Sequence, residues 1–401
     1  MSVDEELDRR RDQEEGEITP DRIERLRRRI GLPQPFRDAS FEFASVDVLR
    51  NYARCICEID PLYRDADYAR ATAWGSFAAQ PTFLFYMGVS EEVEFSEELL
   101  ATGRGDPLSG VHAWYGGEDV EWFARIEEND RLKARKELDS VELKQGRMGG
   151  EAVHEVYKTS YWNQNGTLVG VRRMRVVRVE RSKARSEGKN LGLDVPHRYS
   201  VEEMAAIDAD YEREYIRGAE PRFWEDVEIG EEIIPLVRGP YTTTSYILFA
   251  EGTGPRNDFH RAHSDAYQYR KLHPRAFPLN DLGYPDTIAR VHWERDMAIR
   301  AGLPESYDFG GERVTWLSIA ATHWMGDAGF LRRLKMKLHG FCFVGDTVWI
   351  RGSVVAKRID EGQHVVDIDL AAINHRSESI ASGTATIVLP VRGESTALLL
   401  N

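Results

Sequence analysis

The chain is poor in cysteine: three occur in 401 residues, Cys55, Cys57 and Cys342. Three thiols cannot supply the disulfide framework of a small secreted fold. The closely spaced pair Cys55 and Cys57 also lacks two further thiols at the spacing of a zinc site. We therefore expect buried free thiols and a reducing compartment, the cytoplasm.

Basic charge is scarce as well. The sequence has 53 Lys and Arg against 67 Asp and Glu, a formal net charge of −14. Sequence-independent binding of nucleic acid needs a basic surface that releases phosphate counterions. The charge balance therefore argues against nucleic acid as a partner.

Long apolar runs are missing too. The N-terminal stretch MSVDEELDRRRDQEEGE contains no apolar core of a signal peptide. No stretch of about 18 apolar residues follows, which is the length a membrane-spanning helix needs. We expect neither secretion nor a membrane span.

What remains is an ordinary globular composition, with 42% apolar and 30% charged residues. At 401 residues the chain is longer than one average domain, so two core-bearing units are expected. The expected divisions are a charged tail and helix over 1–33, a first unit over 34–181, a linker with one helix over 182–221, and a second unit over 222–401.

The second unit repeats the first in the order of its elements: strand, helix, long segment, helix, then strands. Tyr52 matches Phe249 at an offset of 197, and Tyr63 matches His292 at an offset of 229. The difference, 229 − 197 = 32, is the length of an insertion in the second unit. The insertion lies within 252–285, and a connection this long is expected to have structure of its own.

One stretch of the second unit is rich in chemistry. Asp286 is followed six positions later by His292, and the pair Gly310 and Gly311 then precedes an apolar helix. N–H groups at a helix start carry partial positive charge, and glycine lets a carbonyl group come close. Such a set can bind water and a carbonyl oxygen. The alternative is that His292 is structural and the glycines only turn the chain.

Residues 291–302 and 58–69 carry a resemblance to a known family. They are similar to the pattern Asp-x-Asn-Pro-x-His-x-Asp-x-x-x-Ala of the MaoC-like dehydratases, or R-specific enoyl-CoA hydratases, in their double-hotdog form. The resemblance covers about residues 40–180 and 222–392. It implies an α+β double hotdog, in which each of two domains is a long helix wrapped by an antiparallel sheet. The first half resembles the degenerate N-terminal dehydratase domain of that group.

The two copies depart from the pattern differently. The first has Tyr63 where the family has histidine, so it looks inactive, whereas the second keeps His292. Five positions before His292, where the family's aspartate belongs, stands Thr287. The nearest carboxylate is Asp286, one position further away. The resemblance therefore implies a catalytic pair of His292 and Asp286.

The resemblance implies reversible hydration of an enoyl-CoA to a 3-hydroxyacyl-CoA, with a coenzyme A thioester as substrate and without a metal or redox cofactor. Asp286 and His292 would share the water, and the amides of Gly310 and Gly311 would bind the thioester oxygen. A homodimer or higher homo-oligomer is expected from the family. The alternatives are an acyl-CoA thioesterase on the same fold, which needs a carboxylate on the thioester carbon, and a non-catalytic acyl-CoA-binding partner subunit.

Other residues could take part. Arg313, Trp316 and Tyr63 could line the substrate, although residues on such a helix more often belong to the core. A rival constellation lies in the extra segment, with Asp258, His260 and His263 as candidate residues. In it, Asp258, His263 and Asp265 fit the family's spacing of aspartate, histidine and second aspartate. No glycine and helix follow it at the right distance, and a solvated loop is the simplest interpretation. A metal site there would need three converging ligands.

Overall fold

A computed structural model describes residues 16–34, 39–91, 97–103, 105–145, 151–180, 193, 195–254 and 260–393 of the chain. The expected charged tail over 1–15, part of the linker and Asp258 lie outside these ranges. None of the helices in the described part is long and apolar enough to cross a bilayer.

The first half supplies five helices and six strands among the described residues. The helices are α1 (Pro20–Arg27), α2 (Val46–Cys55), α3 (Pro61–Arg64), α4 (Ala66–Ala71) and α5 (Glu97–Gly103), with a 3-10 helix at Pro81–Tyr86. The strands are β1 (Pro33–Gln34), β2 (Val89–Ser90), β3 (His112–Trp122), β4 (Leu132–Gln145), β5 (Glu151–Asn163) and β6 (Leu168–Val179).

A helix of the expected linker, α6 (Val201–Glu212), leads to the second half. The helices of that half are α7 (Thr243–Thr253), α8 (His263–Leu272), α9 (Arg295–Arg300) and α10 (Gly310–Met325), with 3-10 helices at Trp224–Asp226, Pro274–Ala276 and Ile288–His292. Its strands are β7 (Leu236–Arg238), β8 (Phe330–Leu338), β9 (Val348–Asp360), β10 (Gln363–Asn374) and β11 (Ser379–Val388).

One sheet runs through both halves, in the order β1-β4-β5-β6-β3-β8-β11-β10-β9-β7. Along this path the described strands pair antiparallel, and β2 adds to β4 in parallel. β3 pairs β8 from Gly117 opposite Lys337 to Glu121 opposite Arg333, which joins the halves. Along the second part of β8, buried Leu334 and Met336 alternate with exposed side chains, so one sheet face covers the core.

The core is built around α10. All of its residues after Gly310 are buried, and it packs on strands from both halves, including β3, β8 and β11. A helix that is buried all round belongs in the middle of a fold rather than at its surface. α10 therefore holds the backbone groups at its N-terminal end in a fixed position.

The element bounds follow the sequence repeat. α2 begins at Val46 and α7 at Thr243, and 243 − 46 = 197 is the first offset of the repeat. α4 begins at Ala66 and α9 at Arg295, and 295 − 66 = 229 is the second. The insertion therefore lies between these pairs, and part of it forms α8 instead of a solvated loop.

The prediction of a long helix in the first half is wrong. In its place stands the 3-10 helix Pro81–Tyr86. The chain after it turns into extended structure, because Met87 bridges Phe41 and β2 then pairs with β4. The core of the first half is therefore closed by a short helix, while the buried helix that both halves share is α10.

Candidate active site

His292 ends the 3-10 helix Ile288–His292, whose first turn is capped by the Thr287 hydroxyl accepting from the Ala289 N–H. Ring nitrogen Nδ1 of His292 lies 2.9 Å from the carbonyl oxygen of Tyr307. A carbonyl oxygen can only accept, so Nδ1 carries the proton. In the neutral ring Nε2 is then the nitrogen with the lone pair, which is the form of a base.

Aromatic rings surround His292. Tyr246 of α7 stacks on it with ring centroids 5.2 Å apart and planes inclined by 11°. Tyr307 and Phe309 meet it edge-on at 4.7 and 5.8 Å. The hydroxyl of Tyr246 and Nε2 of His260 are hydrogen-bonded at 2.8 Å. The extra segment therefore brings a second imidazole, that of His260, into contact with the tyrosine that stacks on His292.

The helix α10 begins directly after Phe309. The Phe309 N–H donates to Oε1 of Glu312 across 3.1 Å, which caps the helix start. A Cβ on Gly310 would stand 2.5 Å from Cδ1 of Tyr115, and one on Gly311 would stand 3.1 Å from the Tyr86 hydroxyl. Because both positions lack a Cβ, tyrosine rings of the first half can pack against the helix start. The amides of the two glycines belong to the electropositive first turn of the helix.

Glu312 is a buried carboxyl at this helix start. Burial, with the nearby charge of Asp308, raises its pKa to about 8, although the Tyr241 hydroxyl donates to it across 2.6 Å. At neutral pH the carboxyl is therefore mostly protonated. A neutral Glu312 leaves the positive potential of the first-turn amides uncancelled.

The expected pairing of Asp286 with His292 is not formed. The Asp286 carboxylate accepts from the Thr287 N–H at 2.7 Å and lies 3.5 Å from Nε of Arg290. Arg290 is buried and also donates to Glu294. The buried guanidinium holds Asp286 within its own segment.

The structure separates the two histidines of the rival constellation in the extra segment. His260 joins the His292 cluster, whereas His263 is exposed at the start of α8. Asp265 of that segment forms an exposed ion pair with Arg261 at 2.6 Å. Within the described ranges, no three His, Cys, Asp or Glu side chains are grouped to hold a metal ion.

Arg313 and Trp316 serve the core. Nε of Arg313 donates to Asp308 across 2.7 Å, and its NH1 donates to the carbonyl oxygens of Gly340 and Ile380. Trp316 is buried against Tyr241, with ring centroids 6.2 Å apart. The expectation that they line the substrate has no support in these contacts.

Tyr63 lies in the first half. It is buried and lines a small cavity together with Trp74, Arg125 and Asp327. Both terminal nitrogens of Arg125 are buried there without a hydrogen-bond partner among the described residues. The position equivalent to His292 is therefore filled by a phenol in an enclosed, aromatic setting.

Comparisons with known proteins concern the fold of the chain. Residues 39–172 match the family model described as FAS1-like, dehydratase domain region. No curated protein matches the chain. A solved structure described as a MaoC-like dehydratase is 17% identical, with 91% of this chain and 99% of that chain covered and a TM-score of 0.59. A MaoC domain protein dehydratase from Chloroflexus aurantiacus is 14% identical over 90% of this chain and 96% of that chain, with a TM-score of 0.53.

The chain has the double-hotdog fold of the MaoC-like dehydratases. The family pattern places a carboxylate five positions before the histidine, and the two halves of the chain differ at that position. The second half has Thr287, whose hydroxyl caps a turn. The first half has Glu58, which is fully buried five positions before Tyr63.

Glu58 pairs with a histidine of the other half. Its Oε1 lies 2.7 Å from Nε2 of His323, which belongs to the last turn of α10. Burial opposes the charge on both groups, but their ion pair and hydrogen bond outweigh it, so the pKa of Glu58 is lowered and that of His323 is raised. Sequence reasoning missed this pair because the partners are far apart in the chain. The sequence feature that could have indicated this pair is the acidic residue at the family's aspartate position.

Asp60 lies beside this pair. Burial, followed by the charge of Glu58, raises the pKa of Asp60 to about 7. Its Oδ1 accepts from the Leu62 N–H across 2.9 Å and so caps α3. Three titratable groups thus meet in the interior, away from His292.

Proposed function

We propose that the protein catalyses reversible addition of water to the double bond of an α,β-unsaturated acyl-CoA thioester, giving a 3-hydroxyacyl-CoA, with His292 as the general base. The observation that carries this proposal is the contact from Nδ1 of His292 to the Tyr307 carbonyl oxygen. It supports one ring orientation and tautomer, in which Nε2 carries the lone pair that can take a proton from water.

The reaction balances with one base. Nε2 of His292 removes a proton from water, the hydroxide oxygen bonds to the β-carbon, and the imidazolium returns the proton to the α-carbon. Charge develops on the thioester oxygen meanwhile, and the first-turn amides of α10 at Gly310 and Gly311 are suited to stabilise it. The Tyr246–His260 pair lies next to His292 as a second group able to carry a proton.

The aromatic surroundings support this assignment. The rings of Tyr246, Tyr307 and Phe309 pack against the His292 ring. Charges interact more strongly in such low-dielectric surroundings than in water. An enoyl group, which is flat and apolar, can pack against aromatic rings.

A second candidate is a subunit that binds acyl-CoA without turnover. It is favoured by the contacts of Asp286, which are with Thr287 and Arg290 and leave the family's carboxylate position without a carboxylate. Hydrolysis of the thioester is less well supported, because it needs a carboxylate on the thioester carbon and Asp286 is held by Arg290.

The test is to incubate the purified protein with crotonyl-CoA and longer enoyl-CoAs while following the conjugated absorbance and the release of free thiol. Loss of absorbance without thiol supports hydration. Thiol release contradicts it in favour of hydrolysis. No reaction at any chain length, together with measurable binding of the thioester, contradicts it in favour of the binding subunit.

A further inference from the structure

The Glu58–His323 pair is a fixed element at the junction of the halves. Oε1 of Glu58 accepts from His323 and from the N–H groups of Ile59 and Asp60, at 2.8 and 3.0 Å. Both side chains are buried, with 0% and 5% of their surface exposed. The imidazole therefore points its Nε2 at Glu58, and Nδ1 is the nitrogen left for another partner.

His323 also lines a cavity of about 250 Å³. Ala320 and Trp324 of α10 form its floor with His323, and the segment 231–236 forms another wall. A water molecule needs roughly 10–15 Å³ of such space, so the cavity holds several water molecules or a small organic ligand. Apolar surface from Trp324 and Leu236 accompanies the polar groups.

A second donor stands next to His323. The backbone N–H of Arg217 donates to the His323 carbonyl oxygen across 3.1 Å, and Arg217 lines the same cavity. Nε of Arg217 is buried and has no hydrogen-bond acceptor among the described residues. Its NH1 lies 3.7 Å from Glu220, which is 69% exposed and therefore a weak partner.

Three carboxylates line the cavity, those of Glu214, Glu231 and Glu232, and the first two are engaged by other residues. Glu214 accepts from the Val237 N–H at 2.6 Å and lies 3.5 Å from Arg238. Glu231 binds Arg222 and accepts from Nε1 of Trp324. Of the three basic side chains in the lining, Arg222 binds Glu231, which leaves His323 and Arg217 as donors toward the cavity.

We propose that this cavity is a binding site for a small organic carboxylate, whose oxygens accept from Nδ1 of His323 and from the Arg217 guanidinium while its alkyl part lies against Trp324 and Leu236. Charge-assisted hydrogen bonds from two donors suit the two oxygens of a carboxylate. The ion pair with Glu58 keeps the imidazole in its donor form.

This site is separate from the His292 site. Gly310 begins α10 and His323 lies in its last turn, so the two ends are roughly 20 Å apart at a rise of about 1.5 Å per residue. The two sites therefore occupy opposite ends of one helix. Binding at His323 can be measured whether or not the protein hydrates a thioester.

The experiment titrates the full-length protein, with ¹⁵N-labelled histidine, with sodium butyrate and with butyramide, which has nearly the same shape and no charge. Butyrate is expected to shift the ring signals of His323 with saturation, and butyramide is not. His323→Gln and Arg217→Gln are each expected to weaken butyrate binding, measured by calorimetry, about 10-fold or more, as the loss of one charge-assisted hydrogen bond implies. His339→Gln, which changes an exposed imidazole bonded to Ser382, is the matched control and is expected to bind as the wild type does.

Three results would overturn the proposal. One is the absence of any His323 shift as butyrate reaches saturation of the calorimetric signal or the limit of solubility. Another is equal binding of butyramide, since the site would then not recognise charge. The third is wild-type affinity in Arg217→Gln, a variant at a half-buried position whose folding is checked by its circular dichroism.

Discussion

Nδ1 of His292 is held by the carbonyl oxygen of Tyr307, at the other end of the segment that joins the 3-10 helix to α10. Asparagine at position 292 can keep a donor toward that carbonyl but has no second ring nitrogen. We expect His292→Asn to fold normally and to lose hydration activity about 10²- to 10⁴-fold, the contribution of a general base. The measurement is kcat/KM with crotonyl-CoA, beside a thermal melt.

The matched control for this variant is His263→Ala, because His263 is exposed at the start of α8. It should retain full activity. Loss of activity in His263→Ala with activity kept in His292→Asn would move the reaction into the extra segment.

Asp286 gives a second prediction. Because its contacts are with Thr287 and Arg290, Asp286→Asn should change kcat/KM less than about 3-fold, far below the effect of removing a general base. The two variants should be assayed over the same pH range. A loss as large as that of His292→Asn would mean that the carboxylate reaches the imidazole during turnover.

Arg313 gives a third prediction, about stability. Its buried guanidinium is paired with the buried carboxylate of Asp308. Removing one partner of a buried pair leaves an uncompensated charge and costs about 3–5 kcal/mol. Arg313→Met should lower the free energy of unfolding by that amount, measured by denaturant titration, and the double change with Asp308→Asn should recover part of it.

A role of Arg313 in binding the substrate would appear differently. Arg313→Met would then keep its stability and raise KM for the thioester, which is opposite to the expected pattern.

Asp60 gives a prediction about pH. Its folded-state pKa of about 7 lies above its ordinary value of 3.8, so the native state holds a proton that the unfolded chain has lost. Between these values the free energy of unfolding falls as pH rises. The raised pKa of His323 acts in the same direction, since its stabilisation is complete below its ordinary value of 6.5 and is lost as pH rises through the folded value. The lowered pKa of Glu58 acts only below about pH 4.5.

We therefore expect the wild type to be less stable at pH 8 than at pH 5.5. The asparagine of Asp60→Asn can still accept from the Leu62 N–H but does not ionise, so the free energy of unfolding of this variant lacks the contribution of Asp60 to the pH dependence. The stability of the variant relative to the wild type should therefore be greater at pH 8 than at pH 5.5 by roughly 2 kcal/mol, at about 1.4 kcal/mol per unit between pH 5.5 and the folded-state pKa of about 7. Denaturant titrations at both pH values test this, and an unchanged difference between them would contradict a buried, protonated Asp60.

Gly310 gives the last prediction. A Cβ there would stand 2.5 Å from Cδ1 of Tyr115 and 3.0 Å from Cδ1 of Leu338. Gly310→Ala should destabilise the protein by about 1–3 kcal/mol, the usual cost of overpacking. In a double-mutant cycle with Tyr115→Ala, the second change should relieve part of that cost. Additive effects would show that the helix start has room to shift.

The repeat is visible in the sequence because apolar spacing survives where identities do not. Val46 and Thr243 begin equivalent helices, and the apolar residues behind each follow the same helical period. The resemblance around His292 predicts the double-hotdog fold. Local spacing predicts one part of the site, which is the position of His292 before a helix that begins with glycine. Arg313 is less predictable, because a charged residue on an apolar helix can face either a ligand or a buried partner.

The rest depends on contacts that no local pattern encodes. Glu58 meets His323 only because α10 brings its last turn to the first half. Asp286 leaves His292 because Arg290 is buried beside it, and burial of an arginine cannot be foreseen from spacing. The short helix at Pro81–Tyr86 likewise follows from strand pairing after Tyr86, which overrides the local apolar pattern.

The pairing of β3 with β8 makes each half dependent on the other for its solubility. Separation of the halves would expose one further strand edge on each, β3 on the first and β8 on the second, and bare edges can pair with one another or with other strands. Each half therefore covers an exposed strand edge of the other. Side chains inside the halves can differ, with Tyr63 on one side and His292 on the other, while the backbone register from Gly117 to Glu121 has to suit both.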